Sequence, residues 1–202
     1  MKQVHAIRQL KALKRLGGQM RLAAEGWKSP WQILIAILMS ARTRDEVTIV
    51  VATRLFAKYK SLRELASAHV SEIARLIKPV NFYLTKSKSV SGCAKVLEAN
   101  FRGKPPSTVE ELILLPGVGR KTANVFLAEI GTNAIGVDTH VSYISQKLGW
   151  TKDYDPRKIE IDLETLFPRR LWRDINMTCV HFGKTYMSRQ KKDELLRQVR
   201  AL

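Results

Sequence analysis

Two short stretches hold the residue types and spacing that can do chemistry: Leu115-Pro-Gly-Val-Gly-Arg-Lys-Thr-Ala123, and Val137-Asp-Thr-His140 downstream of it. Pro116 disfavours the helical conformation at Leu115, and Gly117 and Gly119 tolerate positive φ, so the chain reverses sharply there. A helix starting near Arg120 then offers backbone N–H groups to an anion from Gly117, Val118 and Gly119 onward, with the Arg120 guanidinium adding charge. Lys121 falls just inside this helix and Asp138 at the start of the next. The pattern describes a place that holds a phosphate, with a primary amine and a carboxylate for reaction beside it. Taken singly, these features also suit an ordinary helix connection, a solvated lysine and a helix N-cap; only their combination points to chemistry.

The elements that must position these groups read as helices. Ser29-Pro-Trp-Gln32 is a capping box with proline at the first helical position, and it opens an apolar helix to about Ser40. Thr43-Arg-Asp-Glu46, Ser61-Leu-Arg-Glu64 and Ser107-Thr-Val-Glu110 are further capping boxes. Pro79-Val-Asn-Phe-Tyr83 interrupts the pattern before a basic helix from about Thr85 to Asn100. Asp155-Pro156 repeats the start signal of Ser29-Pro30, a long helix covers roughly 170 to 186, and the basic tail from Gln190 reads as a last helix or a frayed end. No period-two stretch or internal repeat appears, so the expected class is all-α.

Composition narrows the partner. Lys and Arg number 35 against 18 Asp and Glu, a net charge of +17, which a fold does not need and a polyanion does. Nucleic acid is the leading partner and an anionic membrane surface the weaker one. No apolar run reaches the roughly 18 to 20 residues of a membrane span. Cys93 and Cys179 lie far apart without a CxxC spacing, which excludes a disulfide framework or a cysteine metal cluster within one chain and points to a reducing compartment. Residues 1–24 are basic and free of acid, as a transit peptide would be. They also lack serine and carry Val4, Ile7, Leu13 and Leu16 at helical spacing, which suits a packed helix. The expected location is cytoplasmic (nucleoid-associated) or nuclear, not secreted.

Leu115–Gly131 followed by Ala134–Val141 closely resembles the helix-hairpin-helix DNA glycosylases of the endonuclease III type. The likeness extends back through Pro30–Ala41 and Phe82-Tyr83 with Lys86, and forward to His181-Phe-Gly183 with Tyr186. The hairpin alone also occurs in proteins that only bind DNA; the lysine after it together with Val-Asp-Thr-His is far more specific. The resemblance implies two helical lobes with DNA bound in the cleft between them, one from residues 30–137 and the other from 1–29 plus 138–202. It also implies removal of a damaged base, an oxidised pyrimidine first among candidates, followed by strand cleavage at the abasic site by a monomer acting on double-stranded DNA.

The chemistry can be argued from the groups. A stacked base hides its sugar, so the nucleotide must be flipped out at a cost of a few kcal/mol. A neutral lysine amine can then attack C1′ and form a Schiff base, and cationic neighbours such as Arg120 favour the neutral amine. Lys121 is the expected nucleophile. Asp138, ionised at a helix start, stabilises the positive charge developing on the sugar. His140 is left to a structural role. The vacated space in the duplex calls for filling groups: Arg42, where relatives commonly carry glutamine, and Phe82 or Tyr83 as an aromatic wedge, although either aromatic also suits a core. Lys86 belongs to the same expected DNA-binding set.

The sequence departs from that family where many relatives bind an iron–sulfur cluster through four cysteines. Met187 stands at the place of the first and no cysteine follows, so neither cluster nor other metal is expected, and Lys184, Arg189, Lys191 and Lys192 are the cations that can substitute for its loop on DNA. Two alternatives stay open: a glycosylase for mismatched thymine or uracil or for alkylated purines, and a non-catalytic DNA-binding module.

Overall fold

The structure, a computed structural model, describes residues 2–132 and 134–202. All regular elements among them are helical, and they group into two compact units, Arg21–Ile130 and Met1–Met20 with Gly131–Leu202.

The first unit is built around α2 (Pro30–Ser40). Its cap is the expected one: the Ser29 N–H donates to Gln32 Oε1 at 3.1 Å, and Pro30 takes the first helical position. From Trp31 to Met39 nearly every side chain is buried, the mark of a helix enclosed on all sides. Around it stand α3 (Asp45–Lys58), α6 (Tyr83–Phe101) and α8 (Arg120–Glu129), while α4 (Leu62–Ser67) and α5 (Val70–Leu76) pack on α6 and α7 (Val109–Leu112) leads into the hairpin. Phe56 receives Trp27 and Trp31 edge-on at 5.0 and 5.2 Å, contacts of about 0.5–1.5 kcal/mol each beyond their buried area.

The second unit takes α1 (Gln3–Leu16) from one part of the chain and α9 (Thr139–Leu148), α10 (Pro156–Leu166), a 3₁₀ turn (Arg169–Leu171), α11 (Trp172–Thr185) and α12 (Arg189–Arg200) from another. Leu10, Leu13, Ile144, Leu163, Phe182 and Leu196 share one core. The buried Gln9 is satisfied by Trp150, whose Nε1 donates to its Oε1 at 2.6 Å. At the far end of α11, Thr185 Oγ1 accepts from the Gly18 N–H and the Tyr186 hydroxyl donates to the Leu16 carbonyl, so the end of α1 and the turn after it are tied to the end of α11.

Several local expectations change. The units divide after Met20 and after Ile130, whereas the sequence reading set the boundaries at 29/30 and 137/138. Trp27 packs on Phe56 and carries residues 21–29 with the first unit, while Ile135 and Val137 are buried in the core of the second. Thr43 does not cap α3: the cap position is Arg44, and the Thr43 hydroxyl is engaged by residues of α6 and the turn before it. The box expected at Ser107 is shifted by one, with Thr108 Oγ1 accepting from the Glu111 N–H. The basic tail is a regular helix because Leu195, Leu196 and Val199 bury one stripe of α12. No helix of the described residues is long and apolar enough to cross a membrane.

Candidate functional site

The hairpin assigns its two glycines different tasks. Gly117 has φ +79°, and a Cβ there would lie 2.6 Å from Ser89 Cβ on α6, so its bare backbone is used for the turn and for packing. Gly119 is extended, with φ −93°, and a Cβ there would meet nothing within 4 Å. Open space therefore lies at the entrance of α8, a ten-residue helix whose N-cap is a glycine and supplies no side-chain cap of its own. The Val118 side chain is buried and its N–H donates to the Leu115 carbonyl at 3.0 Å, which leaves it no side-chain contact with a ligand. Arg120 and Lys121, the first two residues of α8, are exposed.

Asp138 belongs to the second unit. Its Oδ1 accepts from the Val141 N–H at 2.8 Å, the N-cap bond expected for α9. The segment leading to it is pinned by Asn176 of α11, whose Nδ2 donates to the Gly136 carbonyl at 2.7 Å. His140, the second residue of α9, lies so close to the Gly183 backbone that any side chain at 183 would collide with its ring. This explains glycine in His181-Phe-Gly183 and gives His140 a packing task. Burial, and behind it the Asp138 carboxylate, push the Cys179 thiol well above its usual range, so it stays protonated beneath the carboxylate. Lys184 lies on the same helix, half-buried.

Arg42, Phe82 and Lys86 come together, though not as three parallel DNA contacts. Arg42 and Phe82 both adopt the left-handed backbone, with φ 56° and 60°, which costs a residue with a side chain about 1–2 kcal/mol each. The Arg42 guanidinium carbon lies 4.8 Å from the centre of the Phe82 ring. Phe82 is 56% exposed, which removes it from the core; Tyr83 is half-buried at the first position of α6. Lys86 is only 8% exposed. Its ammonium donates to the carbonyls of Met39 at 2.7 Å and Ala41 at 2.5 Å and to Thr43 Oγ1 at 3.2 Å. Burial pulls its pKa down to about 8, although the three acceptors favour the charged form. Lys86, expected in the DNA-binding set, spends its three donors inside the protein. Sequence reasoning also missed Asn81, whose Nδ2 donates to the Arg42 carbonyl at 2.5 Å and whose N–H donates to Thr43 Oγ1 at 3.2 Å. A lysine one turn into an otherwise apolar-facing stretch was the available signal for Lys86. A polar residue amid Ile175, Thr178 and Cys179 was the signal for Asn176; Asn81 had none.

The donor set does not fit an iron–sulfur cluster. Such a cluster is held by four thiolates, whereas Cys93 and Cys179 are both buried and belong to different units, and burial pushes the Cys93 thiol up to about 12. Among the described residues no group of His, Cys, Asp and Glu is placed to hold a metal ion.

A helical framework with a glycine hairpin leading into a glycine-capped, lysine-bearing helix places the chain among the helix-hairpin-helix proteins, and family comparison makes this definite: residues 35–169 match the HhH-GPD superfamily of base excision DNA repair proteins, to which the chain belongs. Within it, the chain is 40% identical over 156 residues to endonuclease III of Thermotoga maritima, covering 77% of this chain and 73% of that protein. It is 35% identical over 158 residues to endonuclease III-like protein 1 of Mus musculus, covering 76% and 53%. Among solved structures, a trapped covalent intermediate of endonuclease III with DNA superposes with a TM-score of 0.83 at 28% identity, covering 94% of this chain and 90% of that one.

Proposed function

We propose that this chain is a bifunctional DNA glycosylase and abasic-site lyase of base excision repair, in which Lys121 is the nucleophile and Asp138 the electrostatic partner, with oxidised pyrimidines as the leading substrate class. One observation carries the reading: the space before Gly119 is open, and this glycine caps a helix whose second residue is an exposed lysine. An anionic backbone can be held by N–H groups there without a side chain in the way. Lys121 then stands within the same turn as the phosphate grip.

In the reaction the neutral Lys121 amine attacks C1′ of the flipped nucleotide. The bond to the base breaks, the electron pair leaves with the base, and a proton neutralises the departing anion. Loss of the amine proton and opening of the sugar ring at O4′ give the Schiff base. Removal of a C2′ proton then expels the 3′ phosphate and cuts the strand. Positive character builds on the sugar throughout the first step, and a fixed carboxylate, Asp138, lowers that barrier. Arg42 and Phe82 fill the space vacated by the nucleotide, and the basic surface, including Arg120 and Lys184, supplies sequence-independent affinity. The protein works as a monomer without an iron–sulfur cluster, in the cytoplasm beside the nucleoid or in the nucleus.

The test is borohydride trapping on a duplex with a defined abasic site. Wild-type protein should yield a covalent protein–DNA adduct, and Lys121→Gln should yield neither adduct nor strand cleavage. Undiminished trapping by Lys121→Gln would remove the assignment. Absence of trapping and of base release from wild type across a panel of oxidised, mismatched and alkylated bases would return the chain to a DNA-binding module.

A further inference from the structure

Helix α1 keeps its two faces strictly apart. Ala6, Gln9, Leu10 and Leu13 are buried in the second unit, while Arg8, Lys11 and Arg15, three and four residues apart, are exposed on the opposite side. The helix contains no acidic residue. Lys14, on its flank, reaches Asp174 of α11 at 3.8 Å, but Lys11 and Arg15 meet no carboxylate among the described residues. Like charges at these spacings repel, so the stripe weakens the helix that carries it, and it lies too far round the helix to serve the core. Arg8 Nη1 donates to the Leu202 main-chain oxygen at 2.9 Å, which brings the end of α12, with exposed Arg197 and Arg200, beside the stripe. Within this unit α1 packs on α11 and α12, and both of these pack on α9. The stripe therefore points away from the helix that Asp138 caps.

We propose that Arg8, Lys11 and Arg15, flanked by Arg197 and Arg200, form a second contact surface for the phosphate backbone of DNA, one that takes a duplex segment other than the segment presented to Asp138. The dimensions agree: seven residues of helix rise about 10 Å, and one strand of a duplex sets a phosphate about every 3.4 Å along its axis. Three cations thus face a length of strand with three phosphates. The proposal goes beyond the repair reaction, because it lets the protein take hold of a second segment before it leaves the first.

Arg8→Gln/Lys11→Gln/Arg15→Gln tests the surface in the full chain, with Arg54→Gln/Lys60→Gln/Arg63→Gln as the control that removes three exposed cations from the first unit. Each protein is loaded with a short fluorescent duplex, and release is timed against rising unlabelled undamaged duplex. Wild type and the control should release faster in proportion to competitor, since capture of a second segment precedes loss of the first. The α1 variant should lose that dependence and release at one constant rate, keep its affinity for a single duplex, and melt no lower than wild type, because like-charge pairs are removed. A competitor-independent rate in wild type would overturn the proposal, as would wild-type dependence in the α1 variant. Equal loss in the control would make the effect one of total charge, and a much lower Tm in the α1 variant would make the stripe structural; either result also overturns it. Cosedimentation with phosphatidylserine vesicles that only the α1 variant loses, with its competitor dependence intact, would assign the stripe to a membrane surface instead.

Discussion

Alanine at Gly117 and at Gly119 should separate folding from binding within three residues. At Gly117 the substitution forces a side chain into the left-handed region, at about 1–2 kcal/mol, and sets its Cβ 2.6 Å from Ser89 Cβ. Such overpacking typically costs a further 1–3 kcal/mol. The total of about 2–5 kcal/mol corresponds to a fall in Tm of roughly 4–20 °C, at about 2–4 °C per kcal/mol for a chain of this size. At Gly119 the backbone already suits alanine and the new methyl group meets nothing, so the cost is limited to the cap, at most about 1 kcal/mol. The same methyl group occupies the approach to α8, where one charge-assisted hydrogen bond to phosphate is worth about 1.5–3 kcal/mol. Gly119→Ala should thus melt within a few degrees of wild type yet bind undamaged duplex about 10- to 150-fold more weakly. Thermal melts with fluorescence anisotropy at several salt concentrations measure both. The slope of log K against log salt should stay nearly unchanged in Gly119→Ala, because no cation is removed. Wild-type affinity in a folded Gly119→Ala protein would refute the phosphate site, and a large Tm loss there would refute the geometry.

Asp138→Asn retains an acceptor for the Val141 N–H but removes the charge, so base release should fall about 100-fold, the loss of one electrostatic stabiliser of about 3 kcal/mol, while duplex affinity holds; a wild-type rate would dismiss the carboxylate. Lys86 has its folded pKa lowered from 10.5 to about 8, so between these values the unfolded chain binds more protons and stability should rise with pH. Denaturant midpoints across that window should climb more steeply for wild type than for Lys86→Met; parallel profiles would contradict the burial argument. Purified protein should contain no iron, because two buried thiols cannot supply four thiolates, and stoichiometric iron by elemental analysis would show otherwise.

The sequence disclosed what local rules govern. Ser29-Pro30, Ser61, Asp138 and Asp155-Pro156 start helices where their side chains indicate, because capping is settled within four residues. The family resemblance rested on equally local strings. What escaped was decided by distant partners. Thr43 and Glu46 satisfy the capping pattern, yet Asn81 and Lys86, about 40 residues away, claim the hydroxyl first. Lys86 read as a DNA contact because its charge is visible in the sequence and its burial against α2 is not. The two glycines of the hairpin look alike until the neighbour of each is known: Ser89 for one, open space for the other. The surroundings of Cys93 and Cys179 likewise could not be told apart, since only the fold places a carboxylate beside the second.

The core shared by α1 and α9–α12 sets an order of events during synthesis. Ala6, Leu10 and Leu13 leave the ribosome early, but the leucines of α12 that close over the same core emerge last. Until then α1 has an apolar stripe with no partner, a hazard of the kind that draws nascent chains into aggregates. The Arg21–Ile130 unit is a separate compact unit and is fully synthesised long before that moment, while α1 waits. Its early collapse also shortens the tether: joining α1 to the later helices across about 110 flexible residues would cost roughly 4 kcal/mol by the logarithmic law, and a folded insert replaces most of that slack with a compact spacer. Substitutions that weaken the inserted unit should therefore reduce the yield of the other one during translation even when both are stable once made.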